Sequence, residues 1–255
     1  MISTKADITF FYSVIVKVGD IVKNKLKLLL LLLLLLLSLV SFIQVSYSKK
    51  TIDSKKNHVE TIPYDTTPSF LTNQTQELSQ LKAVVSIPGT DLLENVVQAD
   101  DNQFYLDHDI YGNESEIGST FLDYRLRLEE NPKKILIYGH NSKTLTLPFQ
   151  ILENYQDFSY YQEHPTIVLE TATGKSTYQI FSAFIETENW DYMNLKFADS
   201  KEWLQHLESL KERSFYNTGI DVTEQDSILI LQTCSENPDY DSYPKKYFLL
   251  IGRRI

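Results

Sequence analysis

Between Leu28 and Tyr47 the chain carries no charged residue, and Leu28 to Leu37 is an unbroken leucine run. Twenty residues at about 1.5 Å rise span roughly 30 Å, the thickness of a bilayer's hydrocarbon core. A signal-peptide core is shorter, about 7–15 residues, and Val45-Ser46-Tyr47-Ser48 is a poor cleavage site. A helix with leucine on every face does not suit the surface of a globular core. The expectation is therefore a single-pass anchor over residues 28–47. It follows a short segment, 1–27, and precedes a polar linker, 48–67, rich in Lys, Thr, Asp and Ser. Lysines flank both ends of the span, so the positive-inside rule alone does not orient it.

The remainder, 68–255, has the size of one domain. The first 50 residues hold seven Lys and two Asp, a net of +5, which leaves −15 on the rest of a chain whose formal total is −10. An acidic domain with no basic run is a poor partner for nucleic acid. A lone cysteine, Cys234, excludes an internal disulfide and a Cys-rich zinc site. No phosphate-cradling glycine loop, nucleophile elbow or helical His pair is present, and no cofactor is implied.

Leu71, Leu78 and Leu81 predict an amphipathic helix over Pro68 to Ala83. Short apolar or alternating runs then predict strands at 83–87, 95–98, 134–138, 166–170, 177–184, 228–231 and 247–251. Pro88-Gly89, Asn131-Pro132 and Thr173-Gly174 are among the turns between them. Ser200 to Arg213, with Trp203, Leu204, Leu207 and Leu210 on one face, predicts a helix. Seven or eight strands with few helices make a mainly β fold, a barrel or a sandwich.

Cys234 ends an apolar strand and enters a polar loop, a position that gives a thiol access to solvent. Of five histidines, His58 falls in the linker, His108 and His164 in polar loops, and His206 on the polar side of the helix. All four read as solvated. His140 differs, because it ends the strand Ile135-Leu136-Ile137-Tyr138 just after Gly139. A strand-end imidazole and a strand-end thiol form a plausible acid/base–nucleophile pair.

Tyr138-Gly139-His140-Asn141 and Leu231-Gln232-Thr233-Cys234, in that order, resemble the histidine and cysteine motifs of sortases. These are membrane-anchored cysteine transpeptidases of Gram-positive bacteria. Val85-Ser86-Ile87-Pro88-Gly89-Thr90, Val97 to Asn102 and Gly118 to Arg125 resemble further stretches of that family. The helix before the cysteine strand resembles class B. The resemblance implies a closed barrel with an N-terminal helix and that extra helix. It places the catalytic domain outside the cell, on a single-pass membrane anchor.

It also implies a reaction in which Cys234 attacks a sorting signal of a surface protein or pilin and His140 protonates the departing amine. An amine from peptidoglycan or a pilin lysine then resolves the thioester. Thr233 and Asn141 would line the oxyanion and substrate site. Sortases use an arginine on the strand after the cysteine, and aligning 245–251 with that strand puts Lys246 there. Lysine keeps the charge but lacks the planar fork. Arg254, eight positions on, lies roughly 26 Å further along a strand at about 3.3 Å per residue. The alternative function is a sortase fold that binds pilin or sorting signals with weak or no turnover.

Overall fold

The computed structural model describes residues 80–255. The expected anchor, linker and His58 lie outside the described residues, as does all of the N-terminal helix up to residue 79. Among the described residues no helix is long and apolar enough to cross a membrane.

Eight strands close into a barrel: β1 (Leu81–Ser86), β2 (Leu93–Val97), β3 (Phe121–Leu122), β4 (Lys134–Tyr138), β5 (Thr166–Thr171), β6 (Gly174–Glu186), β7 (Ile228–Cys234) and β8 (Tyr247–Arg254). Their order around the barrel is β1-β2-β3-β4-β7-β8-β6-β5. Pairing is antiparallel except for β2 with β3 and β4 with β7. The mainly β barrel expected from the sequence is what forms.

Residue pattern explains which strands lie where. In β1 inward and outward residues alternate, so Leu81, Ala83 and Val85 face the core while Lys82 and Val84 do not. The end of the expected N-terminal helix is overturned here. Leu81 to Ala83 pair with β2 and β5 instead, because Leu81 fits the two-residue alternation with Ala83 and Val85. In β4 every residue is buried, and in β8 Phe248 to Gly252 are buried, as strands covered on both faces require.

One cover is a 3-10 segment, Pro148–Gln156, whose Phe149, Leu152 and Tyr155 recur every third residue and are fully buried. Three residues per turn put all three on one face. It leads into a short helix, α1 (Phe158–Glu163). The expected longer helix is α2 (Ser200–Glu212), ending one residue early with Arg213 as its cap. Asp199 caps its start by accepting from the Glu202 amide at 2.8 Å, and Trp203, Leu207 and Leu210 are buried. Ser182 on β6 donates to the Leu210 carbonyl at 2.6 Å, and Arg213 pairs with the buried Glu186.

Two polar centres sit inside this frame. Asp123, fully buried just after β3, accepts from Arg125 Nε and Nη2, both at 2.8 Å, from the Tyr138 hydroxyl at 2.7 Å and from Asn102 at 3.0 Å. Lys134, buried at the start of β4, donates to the Asn194 carbonyl at 2.9 Å. Its Nζ lies 2.8 Å from His206 Nε2. His206 is therefore not the solvated histidine expected. It packs against Phe197 and Trp203, since α2 lies close enough to the barrel to cover part of its polar side.

Burial, with Arg125 and Arg213 nearby, pushes the Lys134 ammonium down to about 7, and burial with Lys134 pushes His206 down to about 3. Between pH 7 and the ordinary lysine value of 10.5, the unfolded chain holds a proton that folded Lys134 lacks. Stability contributed at this position therefore rises with pH across that window, and the penalty is fully present below it. Urea midpoints of the parent should rise relative to Lys134→Met between pH 7 and 10, by up to ~4 kcal/mol in unfolding free energy. Parallel pH profiles for the two proteins would contradict this.

Candidate active site

Parallel pairing sets β4 and β7 in register from Lys134 opposite Ile228 to Tyr138 opposite Gln232. Both strands therefore end at the same rim of the barrel, and the contacts continue past the ladder. The Gly139 amide donates to the Gln232 carbonyl at 3.0 Å, and the Thr233 hydroxyl donates to the Gly139 carbonyl at 2.8 Å. The Asn141 side-chain amide donates to the Cys234 carbonyl at 3.0 Å. His140 sits between two residues bonded to the cysteine strand, and Cys234 is exposed at that strand's end.

Two glycines make this rim possible. A Cβ on Gly139 would lie 2.5 Å from the Phe149 ring, so the covering segment reaches the histidine loop only because the side chain is missing. Gly118, at a φ of 55°, leaves room for His140: a Cβ there would lie 2.8 Å from His140 Nε2 and 2.5 Å from the Tyr105 carbonyl oxygen. His140 Nε2 and Asn141 Oδ1 are buried and have no hydrogen-bond partner among the described residues. Such groups are costly until a partner arrives.

A carboxylate that motif reading passed over joins the two loops. Glu153, on the 3-10 segment, accepts the Glu236 amide at 2.7 Å and faces Asn141 Nδ2 at 3.4 Å with the same oxygen. Its other oxygen accepts from Gln156 at 2.7 Å. Gln156 in turn accepts from the Asn237 side chain. A three-residue apolar repeat places Phe149, Leu152 and Tyr155 inward, which leaves Glu153 and Gln156 beside them to meet the loops.

Although Cys234 is itself exposed at the rim, enclosure by the surrounding loops disfavours charge on both reactive groups. It raises the pKa of the Cys234 thiol, with the Glu236 carboxylate adding to the shift. It lowers that of His140, against a smaller opposing effect from the Leu106 carbonyl. Both shifts favour the neutral thiol and neutral imidazole over a thiolate–imidazolium pair. Tyr192 and Tyr247 lie close enough to Cys234 for its charge to raise their pKa values further, after burial.

Lys246, the expected cation, directly precedes β8. Its carbonyl accepts the Ser235 amide at 2.9 Å, while its ammonium donates to the Asn237 carbonyl at 2.8 Å and pairs with Asp241. Lys143 lies 3.5 Å from Glu236 and 3.9 Å from Asp241. These contacts place Lys246 in the charge network of the loop after the cysteine. The residue whose Cα pairs with Cys234 is Tyr247. Lys246 stands one residue before it, just outside the β7–β8 ladder. Thr233 turns its hydroxyl into the strand contact described above, and Asn141 faces the cysteine backbone. Among the described residues no group of three or more His, Cys, Asp and Glu side chains could hold a metal.

Two outcomes follow for the thiol. Iodoacetamide alkylation of Cys234 should accelerate with pH through and above the ordinary thiol range near 8.5, with no plateau near neutrality. Glu236→Gln should move that profile to lower pH; a parent plateau near pH 7 would show a preformed thiolate instead. For the loops, Glu153→Ala should lower stability by about 1–3 kcal/mol in urea unfolding. An unchanged midpoint would remove Glu153 from this network.

Comparison with known proteins agrees with the geometry. The Sortase domain family matches residues 85–250. Sortase B of Listeria monocytogenes is 30% identical over 157 residues, covering 62% of this chain and 63% of that protein. The chain thus spans about three fifths of that relative's length. The Staphylococcus aureus sortase B–substrate complex superposes with a TM-score of 0.64 at 27% identity, over 74% of this chain and 91% of that one. A sortase B structure complexed with triglycine gives 0.68 at 25% identity, over 83% and 97%. The match runs through nearly the whole barrel and includes both strand-end residues: the chain belongs to the sortase family, and its relatives are of class B.

Proposed function

We propose that the protein is a cysteine transpeptidase that cleaves a sorting signal on a surface protein or pilin and transfers it to an amine. The observation that carries this reading is the β4–β7 register, which brings His140 and an accessible Cys234 to one rim in a member of the sortase family. Cys234 Sγ gives up its proton to His140 and attacks the carbonyl carbon of the scissile bond. The C–N bond breaks, His140 returns the proton to the departing amine, and a thioester remains. An incoming amine then attacks the thioester and the C–S bond breaks; the amine's proton passes to His140 and from it to the departing thiolate, which restores the neutral thiol. Splitting one amide exchange into two steps lowers each barrier, and thiolate is the stronger nucleophile.

A resting pair that is neutral suits this sequence, because the thiol proton moves only when substrate displaces water and pairs the buried His140 and Asn141 atoms. Asn141 holds the cysteine carbonyl, and the Thr233 backbone, one residue before Cys234, is the reading's candidate for cradling the oxyanion. Lys246 supplies positive charge at the rim. The substrate-bound and triglycine-bound relatives support a peptide signal and an amine acceptor in general terms. The finer reading names an LPxTG-like or NPxTx-like signal, with a wall cross-bridge or pilin lysine as acceptor. The uncharged run from Leu28 to Tyr47 supports a membrane anchor, and membership of the sortase family supports a barrel outside the cell.

A second reading, binding of such signals with weak turnover, is favoured by one observation: the Lys246 ammonium is already engaged by Asp241 and the Asn237 carbonyl. Intact mass spectrometry with a panel of sorting-signal peptides separates the two. The transpeptidase reading expects an adduct on Cys234 that an added amine converts to ligated peptide. Cys234→Ala should abolish the adduct, and His140→Ala should slow its formation by about 10²–10⁴-fold. Binding without any adduct would favour the second reading.

A further inference from the structure

We propose that Tyr247 is a further catalytic residue, whose phenol donates a hydrogen bond to the substrate carbonyl oxygen as Cys234 attacks. This rests on the transpeptidase reading above and names a group that acts within it. Tyr247 and Cys234 are direct partners in the β7–β8 ladder. Directly opposed residues of an antiparallel pair share a face, with Cβ atoms about 4.5–5.5 Å apart. A phenol is longer than a thiol, so from this shared face its hydroxyl can reach past Sγ to a carbonyl under attack. The ring is braced by the edge of Trp190, with centroids 5.4 Å apart and planes at 64°.

The side chains of Lys246, Thr233 and Asn141, which could otherwise donate near the thiol, are already engaged. Lys246 is bound to Asp241 and the Asn237 carbonyl, the Thr233 hydroxyl to the Gly139 carbonyl, and the Asn141 amide to the Cys234 carbonyl. Tyr192, the other phenol near Cys234, donates to Gln232 Oε1 at 2.8 Å. No hydrogen bond from the Tyr247 hydroxyl is found among the described residues, and its ring is half-buried. Burial and the Cys234 charge both raise its pKa, so it stays a neutral donor throughout the range in which the thiol reacts. A neutral donor aimed at developing negative charge in a site partly closed to water is the arrangement that stabilises a tetrahedral oxyanion.

Tyr247→Phe removes the hydroxyl and keeps the ring against Trp190. In single-turnover acylation by the peptide identified above, the variant should lose roughly 10–100-fold in rate, with the half-saturating peptide concentration nearly unchanged. Alkylation of Cys234 by iodoacetamide, which builds no oxyanion, should match the parent. An acylation rate equal to the parent's would overturn the proposal, as would an equal loss in both reactions, which would make Tyr247 a determinant of thiol reactivity. Absence of acylation by the parent itself would overturn the transpeptidase reading, and this proposal with it; a parent that acylates beside an unimpaired variant overturns this proposal alone.

Discussion

The side-by-side parallel pairing of β4 with β7 is the constraint on which the rest of the site depends. Two parallel strands cannot be joined by a tight turn, so a long connection must leave the end of β4 and return to the start of β7. Residues 139–227 make that journey and build much of the barrel wall on the way: Pro148–Gln156, α1, β5, β6 and α2 all fall within it. The same geometry sends both strands' C-terminal ends to one rim. A histidine one residue past a glycine and a cysteine at a strand's last position therefore meet, although 94 positions separate them in sequence.

What surrounds that meeting point is polar, and the polar groups are bound to one another. Glu153 links the loop after β4 to the loop after β7, while Asp241 gathers Lys143 and Lys246 from the same two loops. Within the network sit groups lacking partners among the described residues, His140 Nε2 and Asn141 Oδ1, together with a thiol and an imidazole whose charged forms burial disfavours. Ordered loops with unfilled hydrogen-bonding capacity suit a site whose partner is the substrate.

Much of the barrel was legible because its strands are the chain's apolar runs: Lys134–Tyr138 was read with its observed bounds, and the strands at 166, 228 and 247 with their observed starts. Less legible were elements whose signal lies in their neighbours. β3 is two residues long and is defined by its pairing with β2 and β4. Leu81 satisfies a helical spacing and a strand alternation alike, and the partners on either side decided between them. The 3-10 segment follows a period of three, which a search at 3.6 passes over, and Glu153 was missed with it. His206 reads as a solvated helix residue until α2 is seated near Lys134. At the reactive rim, His140 and Cys234 were visible as strand ends. The pairing of Cys234 with Tyr247 is a property of the β7–β8 register, which no local pattern in the sequence carries.

The most direct test of the account is a crystal structure of the protein with a peptide mimic joined to Cys234 through a thioester-like bond. The account predicts that a ring nitrogen of His140 lies within about 3–4 Å of the sulfur or the leaving-group position, at the rim formed by β4 and β7. Density for the peptide on Cys234, with the His140 ring turned away and beyond hydrogen-bond reach even through one water, would contradict it.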